Sequence, residues 1–154
     1  MGCGKSTVGR LVAERSDAPF HDLDARIENE AGMPVAEIFA KRGEEEFRSL
    51  ESRLLPQLLE PGAVVALGGG ATMNDSNWRL IQDRSATVFL DCRFDTIWER
   101  IGAGGRPLVV GRSRDELEAL MLLRLPRYLE AAHLVNAERA ANVVANEILA
   151  LWSD

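Results

Sequence analysis

Strand-like apolar runs alternate with helix-like stretches along this chain. That order predicts an α/β fold whose parallel sheet is covered by helices on both faces. Two local signals sharpen the expectation. The chain opens on M-G-C-G-K-S-T, where Gly4, Lys5 and Ser6 form the back half of the phosphate-binding pattern G-x-x-x-x-G-K-[ST]. Further on, the apolar run A-V-V-A-L leads directly into Gly68, Gly69 and Gly70. Ligands in such sheets bind beyond the carboxyl ends of the strands, and both signals fall at such ends.

The elements follow in order. Residues 5–15 predict a helix whose N-terminus favours phosphate through its dipole and free N–H groups. Residues 19–22 predict a short strand. Asp24 is the expected cap of a helix reaching Ala31, with Gly32 just past its end. A short helix over 35–42 stops at Gly43, and a longer one covers 44–60, kinked or split at Pro56. Residues 63–67 are a buried strand. Asn74 caps a helix over 75–83, residues 87–90 are a strand, and Asp95 is the expected cap of the next helix. Residues 102–114 are rich in Gly and Arg with little apolar periodicity. Ser113 and Glu116 form a capping box that starts a helix over 114–131. A last strand at 133–135 precedes a helix over 140–152.

A length of 154 residues suits one domain with a real core. Hydrophobic residues make up 46% and charged residues 27%, as in an ordinary globular protein. No apolar run approaches a membrane span of about 20 residues, and no secretory leader pattern is present. Cys3 and Cys92 do not make a disulfide framework, so a reducing cytoplasm is the expected setting. A net charge of −6 argues against general nucleic-acid binding. Anionic ligands would then need a local basic cluster, drawn from Lys5, Arg48, Arg106, Arg112, Arg114 and Arg124.

Several residue groups can carry phosphate chemistry. Lys5 can reach the β- and γ-phosphates, and the Ser6 hydroxyl can sit on Mg²⁺. Backbone N–H groups of residues 2–6 can line a concave anion site. Asp22 and Asp24 alternate along a strand end, so both carboxylates can face one way. One can hold Mg²⁺ through water and the other can take a proton from a substrate hydroxyl. Glu44, Arg48 and Glu51 share one helical face. They are either a surface salt-bridge ladder or a clamp that presents Arg48 to a carboxylate. The three glycines at 68–70 allow close approach of a ligand. The stretch 102–114 is either a basic loop or a lid that brings an arginine to a transferred phosphoryl group. His21 and His133, single histidines beside apolar residues, read as structural, as do Trp78, Trp98 and Trp152. Cys3 reads as a loop residue at a variable position.

Taken together and in order, G-C-G-K-S-T-V-G-R, F-H-D-L-D, G-E-E-E-F-R-S-L-E, V-A-L-G-G-G-A, G-R-P-L and L-R-L-P-R-Y resemble shikimate kinase. The resemblance implies one domain over residues 1–154 with the P-loop, nucleoside-monophosphate-kinase-like three-layer fold. Substrate-binding helices would cover about 24–60 and a lid about 102–114. It implies ATP-dependent phosphorylation of the shikimate 3-hydroxyl, on the route to chorismate and the aromatic amino acids, by a cytoplasmic monomer. Gly2, Cys3, Gly4, Lys5, Ser6 and Thr7 would line the nucleotide phosphates, with Ser6 and Asp22 on the Mg²⁺ side. Asp24 would bind the shikimate hydroxyls and act as the base. Arg48 and Arg124 would hold the carboxylate, with backbone contacts from Gly69 and Gly70. Arg106 would face the transferred group, Arg139 would lie near adenine, and Arg100 matches a nucleotide-side arginine less closely.

The first glycine of the phosphate loop and the strand before it have no counterpart in the chain. In this family that strand is central, so residues 63–67 and 86–91 are expected to stand about 9–10 Å apart, unpaired with each other. Roughly ten residues upstream of Met1 are therefore expected in the natural protein. Alternatives stay open: a related small-molecule kinase such as a gluconate kinase, a ligand-sensing module built on the same fold, or an inactive truncated form.

Overall fold

A computed structural model describes residues 2–102 and 112–151. The chain runs α1 (Lys5–Ser16), β1 (Phe20–Asp22), α2 (Leu23–Ala31), α3 (Val35–Leu58), β2 (Val64–Ala66), a 3-10 turn (Ala71–Met73) and α4 (Asp75–Arg84). It continues with β3 (Val88–Asp91), α5 (Phe94–Gly102), α6 (Arg114–Tyr128), β4 (His133–Asn136) and α7 (Ala141–Ala150). Strands and helices alternate as expected, and every strand pair is parallel. Among the described residues, no helix is long and apolar enough to cross a membrane.

Local chemistry explains most boundaries. Gly4 precedes α1 with a left-handed φ of 93°, a conformation glycine adopts without Cβ strain. Gly43, at φ 84° and ψ 170°, breaks α3 into the two helical stretches the sequence predicts. Asn74 accepts the N–H groups of Ser76 and Asn77 as the cap of α4. The Ser113–Glu116 capping box forms in both directions.

Three boundary expectations are corrected. Asp22, not Asp24, caps α2: its Oδ1 accepts the N–H groups of Asp24 and Ala25. The helix therefore starts two residues earlier, at Leu23, and the Asp24 side chain is left free of that duty. Asp95 lies in the first turn of α5 and pairs with Arg114 rather than capping the helix. Pro56 does not split α3, which stays helical to Leu58. It lies in the last turn, where little helix remains beyond the missing N–H bond. Burial of Leu54, Leu55 and Leu58 in the core outweighs that loss.

The strands form two separate pairs. In one, Phe20, His21 and Asp22 lie against Val64, Val65 and Ala66. In the other, the residues of β3 lie against those of β4, with Val88 opposite His133 and Asp91 opposite Asn136. β2 and β3 do not pair with each other, as expected from the sequence. Between the pairs runs a cavity of about 530 Å³, walled by Val64, Val65 and Ala66 on one side and Val88, Phe89 and Leu90 on the other. Each pair has its own core. Leu23, Ile27, Ile38, Leu54, Leu55 and Ile81 pack on the first half. Val8, Val12, Leu90, Ile101, Val135 and Val144 pack on the second. α1 joins the halves, packing against β1 and β2 on one side and α7 on the other.

Candidate active site

The phosphate loop folds back on its own cation. Lys5 Nζ lies 3.7 Å from Cys3 Sγ, and Cys3 is buried. Burial works against charge on both groups, yet each stabilises the other. The Lys5 charge leaves the Cys3 thiol more acidic than usual, and Cys3 raises the Lys5 pKa. Cys3 is thus a partner of the loop lysine and more than a tolerated loop residue. Asp24 also acts electrostatically on Lys5, so the lysine and this carboxylate belong to one charged site.

Asp22 does two jobs. While Oδ1 caps α2, Oδ2 accepts the Ser6 hydroxyl proton at 2.5 Å. That bond leaves the Ser6 oxygen lone pairs free for a hard cation. Asp24, one turn-direction further, turns to the glycines. Its Oδ1 lies 2.7 Å from where a Cβ on Gly68 would stand. Its pKa is raised, first by burial and then by the Asp22 charge.

The three glycines each front a different predicted residue. Asp24 fills the space before Gly68, Arg124 and Tyr128 that before Gly69, and the Arg48 guanidinium that before Gly70. A side chain at Gly69 would meet the Tyr128 hydroxyl at 2.8 Å and Arg124 Nη1 at 3.5 Å. The run of glycine is therefore steric: three functional side chains from α2, α3 and α6 converge on its backbone.

The two arginines are held differently. Arg48 Nη1 donates to Glu51 Oε2 at 2.9 Å, and its Nε and Nη2 donate to Glu44 Oε1 at 3.3 and 3.1 Å. The i, i+3 and i, i+4 ladder read from the sequence thus acts as a clamp. Arg124 has no hydrogen bond or ion pair among the described residues. Glu51 is 1% exposed, and its Oε1 has no partner. Burial, reinforced by the Asp24 charge, raises its pKa despite Arg48. Sequence spacing marked Glu51 as a clamp for Arg48. It gave no sign that the other oxygen faces the site unsatisfied.

These features make a compact arrangement. An anion-binding loop with a lysine adjoins a half-buried carboxylate that can take a proton. Two guanidinium groups stand across a glycine strip and can hold a carboxylate. The chain matches the family profile described as shikimate kinase over residues 1–152. The chain belongs to the shikimate kinase family. It is 40% identical to the shikimate kinase of Rhizobium meliloti (strain 1021), across 100% of this chain and 82% of that protein. It is 41% identical to that of Thermobifida fusca (strain YX), across 96% of this chain and 90% of that protein. The shikimate kinase of Acinetobacter baumannii, solved in complex with shikimate, superposes with a TM-score of 0.92 at 32% identity. That match covers 99% of this chain and 88% of the other. The Aquifex aeolicus shikimate kinase gives 0.88 at 34% identity, over 99% and 92%.

Other predicted residues lie apart from this convergence. Arg139 donates to the Asn136 carbonyl at 3.3 Å and pairs with Glu147, so its side chain is engaged between β4 and α7. Arg100 donates to the Ala137 carbonyl at 3.3 Å. Thr7 is exposed in the first turn of α1. Arg106 and Trp152 lie outside the described residues. Trp78 is buried, as expected, and its indole N–H donates to Glu130.

Proposed function

We propose that the protein transfers the γ-phosphoryl group of ATP to the 3-hydroxyl of shikimate, giving shikimate 3-phosphate and ADP. One observation carries this reading: Asp24, Arg124 and Arg48 front three successive glycines beside the phosphate-loop lysine. An acceptor with a carboxylate at one end and hydroxyls at the other fits that order of charges.

Arg48 and Arg124 hold the shikimate carboxylate, and backbone at Gly69 and Gly70 supports the ring. Asp24 takes the proton of the attacking hydroxyl. Its raised pKa brings it nearer neutrality, which favours a base that must both be ionised and accept a proton. The hydroxyl oxygen bonds to the γ-phosphorus as the bond to the β–γ bridging oxygen breaks. Lys5 and the N–H groups at the start of α1 balance charge on the β- and γ-phosphates. Arg106 keeps the role the resemblance assigns, opposite the transferred group. Residues 24–60 serve as the acceptor side and 102–114 as the lid of a single domain.

Mg²⁺ is the implied cofactor. Among the described residues there is no cluster of three or more His, Cys, Asp or Glu side chains fit to hold a metal. A nucleotide-bound Mg²⁺ needs only one or two protein oxygens beside phosphates and water. Ser6 would hold it directly and Asp22 through water, a role the Ser6–Asp22 bond fits. When bound, the ion neutralises charge on the phosphate oxygens. We place the protein in the cytoplasm, where ATP is supplied and its two free thiols stay reduced. A monomer suffices, because every residue named comes from one chain.

The test is ADP release with shikimate or gluconate as acceptor. Shikimate-dependent release with gluconate inert is the expected result. Nucleotide binding without shikimate-dependent release would overturn the proposal in favour of an inactive or sensing form.

A further inference from the structure

We propose that Tyr128 is a positioning residue for the acceptor substrate, one whose hydroxyl latches the glycine strip in its binding orientation. The proposal rests on the shikimate reading above. Tyr128 OH donates to the Gly69 carbonyl at 2.7 Å. Its ring stacks on Phe89 of β3, with centroids 5.4 Å apart and planes 28° apart. The residue therefore ties the strip after β2 to a strand of the other half, across the seam where the two strand pairs do not meet.

The latch acts through peptide geometry. In a planar trans peptide the C=O of one residue and the N–H of the next point in opposite directions. Fixing the Gly69 carbonyl on Tyr128 thus fixes the Gly70 N–H on the opposite side. That N–H has no acceptor among the described residues, and the Arg48 guanidinium fills the space where a Gly70 side chain would stand. It is a donor held ready for a ligand oxygen. Tyr128 also lies one helical turn after Arg124 on the same face of α6, so one helix delivers both a cation for the carboxylate and the latch for the strip.

The end of α6 is anchored independently. Arg127 pairs with Asp75 and with Glu130, and the Trp78 indole donates to Glu130 at 2.7 Å. Removing the Tyr128 hydroxyl should therefore free the strip without releasing the helix.

The experiment is steady-state kinetics of Tyr128→Phe, with shikimate and ATP varied separately and thermal unfolding measured alongside. A rise of about tenfold in KM for shikimate, the scale of one lost hydrogen bond, is expected. KM for ATP should stay within about twofold and Tm within about 2 °C. An unchanged KM for shikimate would overturn the proposal. So would an equal rise in both KM values with a lowered Tm, which marks a general structural role. Tyr128→Leu should give a larger rise for shikimate, because the ring contact to Phe89 goes as well. Turnover of shikimate by the parent protein tests the underlying reading separately. If the parent shows none, calorimetric binding of shikimate to parent and Tyr128→Phe still decides the latch: equal affinities would overturn it.

Discussion

Two buried or pinned glutamates, one in each half of the molecule, are treated in opposite ways. Glu51, on the half built around β1 and β2, is 1% exposed, with one oxygen on Arg48 and the other without a partner. Its pKa is raised by burial. Glu138, on the half built around β3 and β4, accepts hydrogen bonds from the Cys92 thiol, the Arg93 N–H and the Thr96 hydroxyl. These hold its pKa down at about 2. Burial and the Glu138 neighbour push Cys92 up to about 12. The second half has spent its polar groups on itself, joining the turn after β3 to the loop after β4. The glycine strip that follows β2 instead gathers Asp24, Glu51 and Arg124, all incompletely paired. Groups left unsatisfied at a cost to stability are what a ligand can satisfy.

The largest expected effect is at Asp24. Asp24→Asn should lower kcat by about 10²–10⁴, the range for a lost general base. It should also raise Tm by a few degrees (about 2–4 °C), because a strained charge is removed. The sign follows from linkage. The folded pKa lies above the ordinary 3.8, so the folded state holds its proton longer than the unfolded chain. Stability therefore falls as pH rises through the window from about 3.8 to the raised value, and the variant should lose that slope. Thermal melts across pH check it. A variant that is both inactive and less stable would break the comparison.

Next come the two arginines. Arg48→Met and Arg124→Met should each lower kcat/KM for shikimate about 100-fold, as one side of a bidentate carboxylate contact is lost. Their stabilities should part. Arg48→Met leaves Glu51 buried without its cation and should cost about 2 kcal/mol, discounted because Arg48 is partly exposed. Arg124→Met breaks no hydrogen bond or ion pair among the described residues and should stay within about 0.5 kcal/mol of the parent. Urea unfolding of both separates the cases, and equal destabilisation would undo the contrast.

The smallest effect is at Glu138. Its depressed pKa means that the stabilisation it brings is complete above the ordinary 4.5 and is lost as pH falls towards about 2. Glu138→Gln should flatten the change of Tm with pH across that window and leave kcat within about twofold. A large loss of turnover would show that the second half is less self-contained than its bonding implies.

Much of the site was legible because its signals are local. The G-K-S loop, the spacing of Glu44, Arg48 and Glu51, and the three glycines each declare themselves within a few residues. Local signals also misled where two candidates competed. Asp22 and Asp24 are equally able to cap a helix, and only the position of Ser6, brought in by α1, gives Asp22 both duties. Asp95 looked like a cap until Arg114, from the following helix, took its carboxylate. Pro56 looked like a break, but buried leucines on either side hold the helix through it.

The sequence by itself determined the alternating fold, the phosphate chemistry and the family, because each rests on short-range periodicity, turn chemistry or ordered motifs. Tertiary structure alone decided which side chains wall the cavity between the two strand pairs, whose separation was already expected from the sequence. It alone placed three side chains from separate helices on successive glycines, left one oxygen of Glu51 unpaired and set Tyr128 on Gly69. Those facts depend on distances between residues far apart in the chain, which packing sets and local pattern does not record.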